Sequence, residues 1–162
     1  MFATSIFILI LGSCVGSFLN VVICRYPKKQ SIVLNRSCCP SCNRNLNYWD
    51  MFPVFSWIFL RARCRFCKNK ISIRYPLIES LTSILFLLCS GSFSLINKFS
   101  FSNILHSVFG WILISYLIIL SFIDIDELIL PNKITLSGSL LGFIYVASSN
   151  YLVVIDSNIL FF

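Results

Sequence analysis

Along the chain, long uncharged runs alternate with polar stretches. The runs extend from about Ser5 to Cys24, Pro76 to Ile96, Ile104 to Ile123 and Ile134 to Tyr151. Glu79 and His106 are the polar exceptions near the starts of the second and third. A helix rises 1.5 Å per residue, so about 20 apolar residues cross a bilayer core of about 30 Å. The pattern predicts an all-α polytopic membrane protein with about four transmembrane helices. A weaker apolar tail, Tyr151 to Phe162, reads as a half-span, an interfacial helix or a disordered remnant. The first run has neither the basic leader nor the small-residue cleavage site of a signal peptide, so it reads as a retained span.

Composition sharpens this picture. Of the 162 residues, 57% are hydrophobic and 12% charged, whereas soluble domains carry about a quarter charged residues. The net charge of +7 is unevenly placed: 11 of the 13 Lys and Arg residues lie between Arg25 and Arg74, where Asp50 is the one acid. A basic loop between two apolar runs reads as cytoplasmic under the positive-inside rule. A nucleic-acid footprint would need a basic face on a soluble fold, so no nucleic-acid partner is expected. The N-terminus, the turn from Asn97 to Asn103 and the C-terminus then face outward. The stretch from Asp124 to Lys133 faces the cytoplasm.

Two motifs carry chemistry. The basic loop holds Cys39-Pro-Ser-Cys42 and Cys64-Arg-Phe-Cys67, with 21 residues between the pairs. Paired Cys-x-x-Cys turns at this distance are a strong signal for a tetrahedral zinc site. Four thiolates fill such a site, so the metal reads as structural. A reducing cytoplasm argues against disulfides. Cys38 is a spare thiol, and Cys14, Cys24 and Cys89 read as small fillers. The second motif closes the third run, with Asp124, Asp126 and Glu127 followed by Pro131 and Asn132. Ionisable residues at a membrane boundary are functional candidates. Asp124 comes first after the apolar run and is expected to be the most buried, with its protonated form favoured. The plain alternative is a charged cap on a span. Gly12 and Gly16 allow close helix packing. Asn20, in the same run, needs hydrogen-bond partners, as a clamp or as a ligand contact.

The blocks GSCVGSFLNVVICRYP from Gly12, RSCCPSC from Arg36, YWDMFPVFSWIFLRARCRFC from Tyr48, KISIRYPLIES from Lys70 and FIDIDELILPN from Phe122 stand in one order. Together they resemble the type IV prepilin leader peptidase family. The resemblance implies a membrane aspartic endopeptidase that removes the basic leader of prepilins or type II secretion pseudopilins. Such an enzyme then methylates the new N-terminus with S-adenosylmethionine. It implies Asp124 as the first catalytic aspartate, Cys39, Cys42, Cys64 and Cys67 as zinc ligands, and Asn20 and Asp50 as contacts for the methyl-transfer half. Positions 1–75 resemble the family's N-terminal domain, and 76–162 the start of its peptidase domain. Met51 and Ala62 replace the family's usual Asn and Gly.

An aspartic mechanism needs two carboxylates around one water. The resemblance places the second in a Gly-x-Gly-Asp motif further along. Asp156 is the only later acid and has no glycines near it. The expectation is therefore a truncated form, completed by a separately encoded C-terminal half or inert as a peptidase. The expected location is the bacterial inner membrane, among lipid. Two alternatives stand beside this one. One is a non-enzymatic zinc-loop protein that binds a pilus or secretion assembly partner. The other is a methyltransferase-only remnant.

Overall fold

A computed structural model describes residues 2–33, 37–39, 41–92, 101–128 and 131–159, without the side chains of Tyr48, Met51, Ser92 and 148–159. Most of the expected outer turn, including Lys98, lies outside these residues, as does the side chain of Asp156. The described chain is all-helical, with long helices α1 (Phe2–Arg25), α3 (Arg74–Ser92), α4 (Phe101–Glu127) and α5 (Asn132–Ile159). Between α1 and α3 lie a 3-10 turn (Tyr48–Met51) and the short helix α2 (Phe55–Phe59). Two isolated antiparallel bridges, Cys38 with Asn45 and Arg63 with Lys70, are the extended pairings among the described residues. Helices α1 and α4 are long and apolar enough to cross a membrane. Only 11% of the apolar window in α4 is buried, unlike the core helix of a soluble protein. Helix α5 carries the fourth run unbroken into the expected tail as far as Ile159.

The chain forms two compact units, Met1–Leu88 and Cys89–Phe162. In the first, α1 packs against α3 at its glycines. A Cβ on Gly12 would lie 2.7 Å from the Ser83 Cα, and one on Gly16 would lie 2.7 Å from the Glu79 Cα. Both distances are too short for any side chain. Ile8, Leu19 and Ile23 from α1 and Ile78 and Phe86 from α3 fill the buried side of the pair. Polar groups in this apolar setting satisfy one another. Ser83 Oγ donates to the Leu9 carbonyl at 3.0 Å, and Thr82 Oγ1 to the Ile78 carbonyl of its own helix at 2.7 Å. Pro76 sits in the first turn of α3, where a missing N–H breaks no helical bond.

In the second unit α4 pairs with α5. Gly138 lies against the Tyr116 ring, and the Tyr145 hydroxyl is 3.0 Å from His106 Nδ1. Trp111 Nε1 donates to Ser90 Oγ at 3.1 Å. The turn between these helices starts before Pro131. Helix α4 ends at Glu127, and Leu128 adopts φ 51° while its N–H reaches the Asp124 carbonyl. Pro131 opens α5 instead, its carbonyl accepting the N–H groups of Ile134 and Thr135.

A Gly16→Ala substitution tests the helix contact. It is expected to cost about 1–3 kcal/mol by forcing the backbones apart. Unfolding in detergent, followed by circular dichroism, measures the loss, and Gly142→Ala serves as a control because nothing lies within 4 Å of the added carbon.

Candidate functional site

Each cysteine pair is shaped by a tight turn, and the two turns are copies. The Cys39 N–H donates to the Arg44 carbonyl at 3.0 Å, and the Asn43 N–H returns to the Cys39 carbonyl at 2.9 Å. At the second pair the Cys64 N–H donates to Asn69 at 2.9 Å, and the Lys68 N–H returns to Cys64 at 3.0 Å. Asn43 (φ 52°) and Lys68 (φ 58°) take the same left-handed position, and a β-bridge closes each turn. Asn69 Nδ2 joins the turns by donating to Ser41 Oγ at 2.7 Å, and the Arg44 guanidinium lies over the Phe66 ring.

This duplication brings the four sulfurs of Cys39, Cys42, Cys64 and Cys67 within 4.8 Å of one another. The Cys39 and Cys67 sulfurs are 3.8 Å apart. Sulfurs at tetrahedral corners about 2.3 Å from a zinc ion are themselves about 3.8 Å apart, so the cluster fits such an ion. Its thiols compete for charge. Burial pushes the Cys39 thiol up, but the N–H groups of Ser41 and Cys42 and the Cys64 and Cys42 thiols outweigh it and bring it down to about 7. The Asn69 N–H favours a thiolate at Cys67, yet burial and the other three thiols push it up to about 11. The first thiolate to form thus suppresses the last, and a cation relieves that repulsion. Cys38 stands outside the cluster and is exposed.

The other predicted residues are dispersed. Asn20 is buried in α1, where its Nδ2 donates to the Gly16 carbonyl at 3.3 Å and across to the Tyr75 carbonyl at 3.2 Å. It therefore clamps α1 to the start of α3. Asp50 sits in the 3-10 turn with a side chain only 2% exposed, and its Oδ1 accepts both Arg65 Nε at 2.9 Å and Arg65 Nη2 at 2.7 Å. That pair ties the turn to the second cysteine turn. Asp124 corrects an expectation: it is exposed, as are Asp126 and Glu127. Burial stops at Ile123, and the last helical turn of α4 carries its acids into the open.

Sequence reasoning passed over Glu79 beyond noting its place. Its carboxylate is buried between α1 and the loop, accepting the Val54 N–H at 2.7 Å and a hydrogen bond from Ser17. Val54 is held at φ 58°, which is unusual for a β-branched residue. The signal available was a single acid in an otherwise uncharged run. Ala62 also has a definite conformation, at φ 58° after Arg61 at φ 50°. Together they end α2 in a Schellman motif, with the Arg61 N–H on the Ile58 carbonyl and the Ala62 N–H on the Trp57 carbonyl.

The Bacterial Peptidase A24 N-terminal domain matches residues 10–93, which include every one of these loop contacts. The chain belongs to that family. Its A24 relatives include the prepilin leader peptidase/N-methyltransferase of Myxococcus xanthus, 47% identical over 85% of this chain and 39% of the relative. The protein of the same name from Neisseria gonorrhoeae is 37% identical over 84% of this chain and 53% of its own length. A type 4 prepilin-like proteins leader peptide-processing enzyme of Escherichia coli is 38% identical over 76% of this chain and 50% of its own length. The chain thus spans about half the length of the curated A24 relatives it matches. No solved structure matches it. Bacterial A24 membership and the two apolar helices mark an inner-membrane protein.

Two outcomes are expected at the cysteine cluster. Zinc affinity, measured by competition with a chromogenic chelator, falls as pH drops from about 8 to about 6, because protons and metal compete for the same thiolates. Cys64→Ser abolishes tight binding throughout that range. Separately, Ala62→Gly relieves a left-handed alanine and is expected to raise the denaturation midpoint of the zinc-loaded loop by the equivalent of about 1 kcal/mol.

Proposed function

We propose that this chain provides the metal loop and first carboxylate of a prepilin leader peptidase and N-methyltransferase. The observation that carries the reading is its 47% identity, over 85% of the chain, to a protein of that name. The four long helices are taken as four membrane passes. The loop holding 11 of the 13 basic residues then faces the cytoplasm, following the positive-inside rule. Positions 1–75 serve as the N-terminal domain and 76–162 as the beginning of the peptidase part.

In this reading Cys39, Cys42, Cys64 and Cys67 hold zinc. Sulfur occupies all four positions, so the ion fixes the loop and leaves no open site for substrate. Asp124 is the first catalytic carboxylate, and exposure at the end of α4 leaves it accessible to a peptide lying along the membrane surface. Its role is to take a proton from the attacking water while a second carboxylate holds the scissile carbonyl. That partner belongs to the remaining length of the relatives or to a separately encoded C-terminal half. The substrate is the N-terminal segment of a prepilin or pseudopilin, with its basic leader on the cytoplasmic side. Asn20 and Asp50 are the proposed contacts for the methyl-transfer half, which uses S-adenosylmethionine. A bound donor would have to share or displace their hydrogen bonds to Tyr75 and Arg65.

The test is the intact mass of a synthetic prepilin incubated with S-adenosylmethionine and membranes that carry the chain together with a C-terminal half supplying the second carboxylate. Loss of the leader is expected with the wild-type sequence, and Asp124→Asn should slow it by about a thousandfold. Leader removal that is insensitive to this substitution would overturn the assignment of Asp124. An unchanged mass with the wild-type chain would favour a metal-loop membrane protein that only binds a partner. Methylation of a trimmed pilin without cleavage would favour the methyltransferase-only reading.

A further inference from the structure

The loop contains a second feature beside the cysteine cluster that the proposed chemistry does not use. A cleft of about 450 Å³ is lined by Phe59, Leu60, Arg61, Arg63, Arg65 and Lys68, with Cys64 contributing to its wall. Arg65 is occupied by Asp50. Among the described residues Arg61, Arg63 and Lys68 make no ion pair, and Asp50 is the only acid between Arg25 and Arg74. The cleft therefore gathers three cations that no carboxylate pairs, a composition that suits a phosphate-sized anion.

Its rim identifies the source of that anion. On α2, Phe55, Ile58 and Phe59 are 61%, 59% and 83% exposed, and their spacing puts them on one face. Phe52 and Trp49, just before α2, are also exposed. An aromatic face of this size outside the spanning helices is costly in water and suits the boundary between headgroups and acyl chains. The fold fixes its position against α3. Glu79, in the second turn of α3, grips the Val54 N–H immediately before α2, and Trp57 Nε1 donates to the Ile71 carbonyl at 3.3 Å. Helix α2 is thereby tied to the segment from which α3 enters the membrane.

We propose that α2 lies on the bilayer surface by its Phe55–Ile58–Phe59 face and that the adjoining cleft binds the phosphate of an anionic phospholipid headgroup through Arg61, Arg63 and Lys68. The cleft adds lipid selectivity to the apolar contact, and the pair of signals holds the metal loop flat against the membrane it leaves. The proposal needs membrane insertion of the chain but not the peptidase reading.

The experiment uses the zinc-loaded full chain in nanodiscs of phosphatidylcholine alone or mixed with phosphatidylglycerol. Native mass spectrometry counts retained lipids, and hydrogen exchange follows positions 52–68. Preferential retention of phosphatidylglycerol is expected, with slower exchange over 52–68 in its presence. Arg61→Gln, Arg63→Gln and Lys68→Gln should each lower that preference by about fivefold, the effect of removing one cation near a charged surface. Zinc content serves as the folding control. Phe55→Ser with Phe59→Ser should speed exchange of α2 in both lipids. Equal retention of the two lipids by the wild-type chain would overturn the proposal without reference to any variant. Inorganic phosphate protecting 52–68 in phosphatidylcholine discs as well as phosphatidylglycerol does would also overturn it, leaving a free-anion site. So would protection that appears only on adding a prepilin peptide.

Discussion

Two helix backbones can come as close as those of α1 and α3 only where a side chain is missing. Gly12 and Gly16 supply that gap, and Gly16 faces the backbone of Glu79 itself. The approach lets the Glu79 carboxylate receive Ser17 from one helix and the Val54 N–H from the loop. Val54 opens α2, and the cap that follows α2 closes at Ala62, two residues before the second cysteine pair. The position of the metal cluster thus follows, step by step, from a hydrogen atom in place of a methyl group inside the helix pair. Asn20 reinforces the same crossing one turn further along α1 by holding Tyr75. A buried polar group is expensive unless paired, and here each pairing also fixes where a segment of loop begins.

The loop has little apolar interior of its own. Among its described residues Cys39 and Cys64 are the buried ones, and most of the described aromatic side chains are exposed. Stability has to come from elsewhere, and the cysteine cluster is the place where it can be supplied. Four neighbouring thiols that cannot all ionise together are a poor core without a cation and a strong one with it. The excess of Arg and Lys around the cluster serves the same balance, since it lowers the electrostatic cost of a site whose ligands outweigh the charge of a divalent ion.

Much of this was legible from the residues. Uncharged runs specified the long helices because lipid leaves the backbone few other solutions. The two Cys-x-x-Cys pairs specified the cluster because each turn is local and the ion demands only that the turns meet. The role of Glu79 was not legible, because its partners are a backbone N–H 25 residues away and a serine on another helix. The exposure of Asp124 was misjudged for a related reason. Its position at the end of an apolar run suggested depth, whereas α4 continues one more turn and carries the acids clear. Ala62 shows a third case, in which the sequence raises a question about φ that only the backbone answers.

The likeness of the two cysteine turns bears on how the site fills. Each turn is closed by its own main-chain hydrogen bonds and presents two sulfurs. An ion caught by one turn meets the other at an effective concentration set by a tether of 21 residues that contains α2. Half-filled species are then short-lived, and loading is all-or-none. If zinc is the ion, as proposed, a cell short of it would hold two populations of this protein, one with the two turns joined and one with them apart, and little between them.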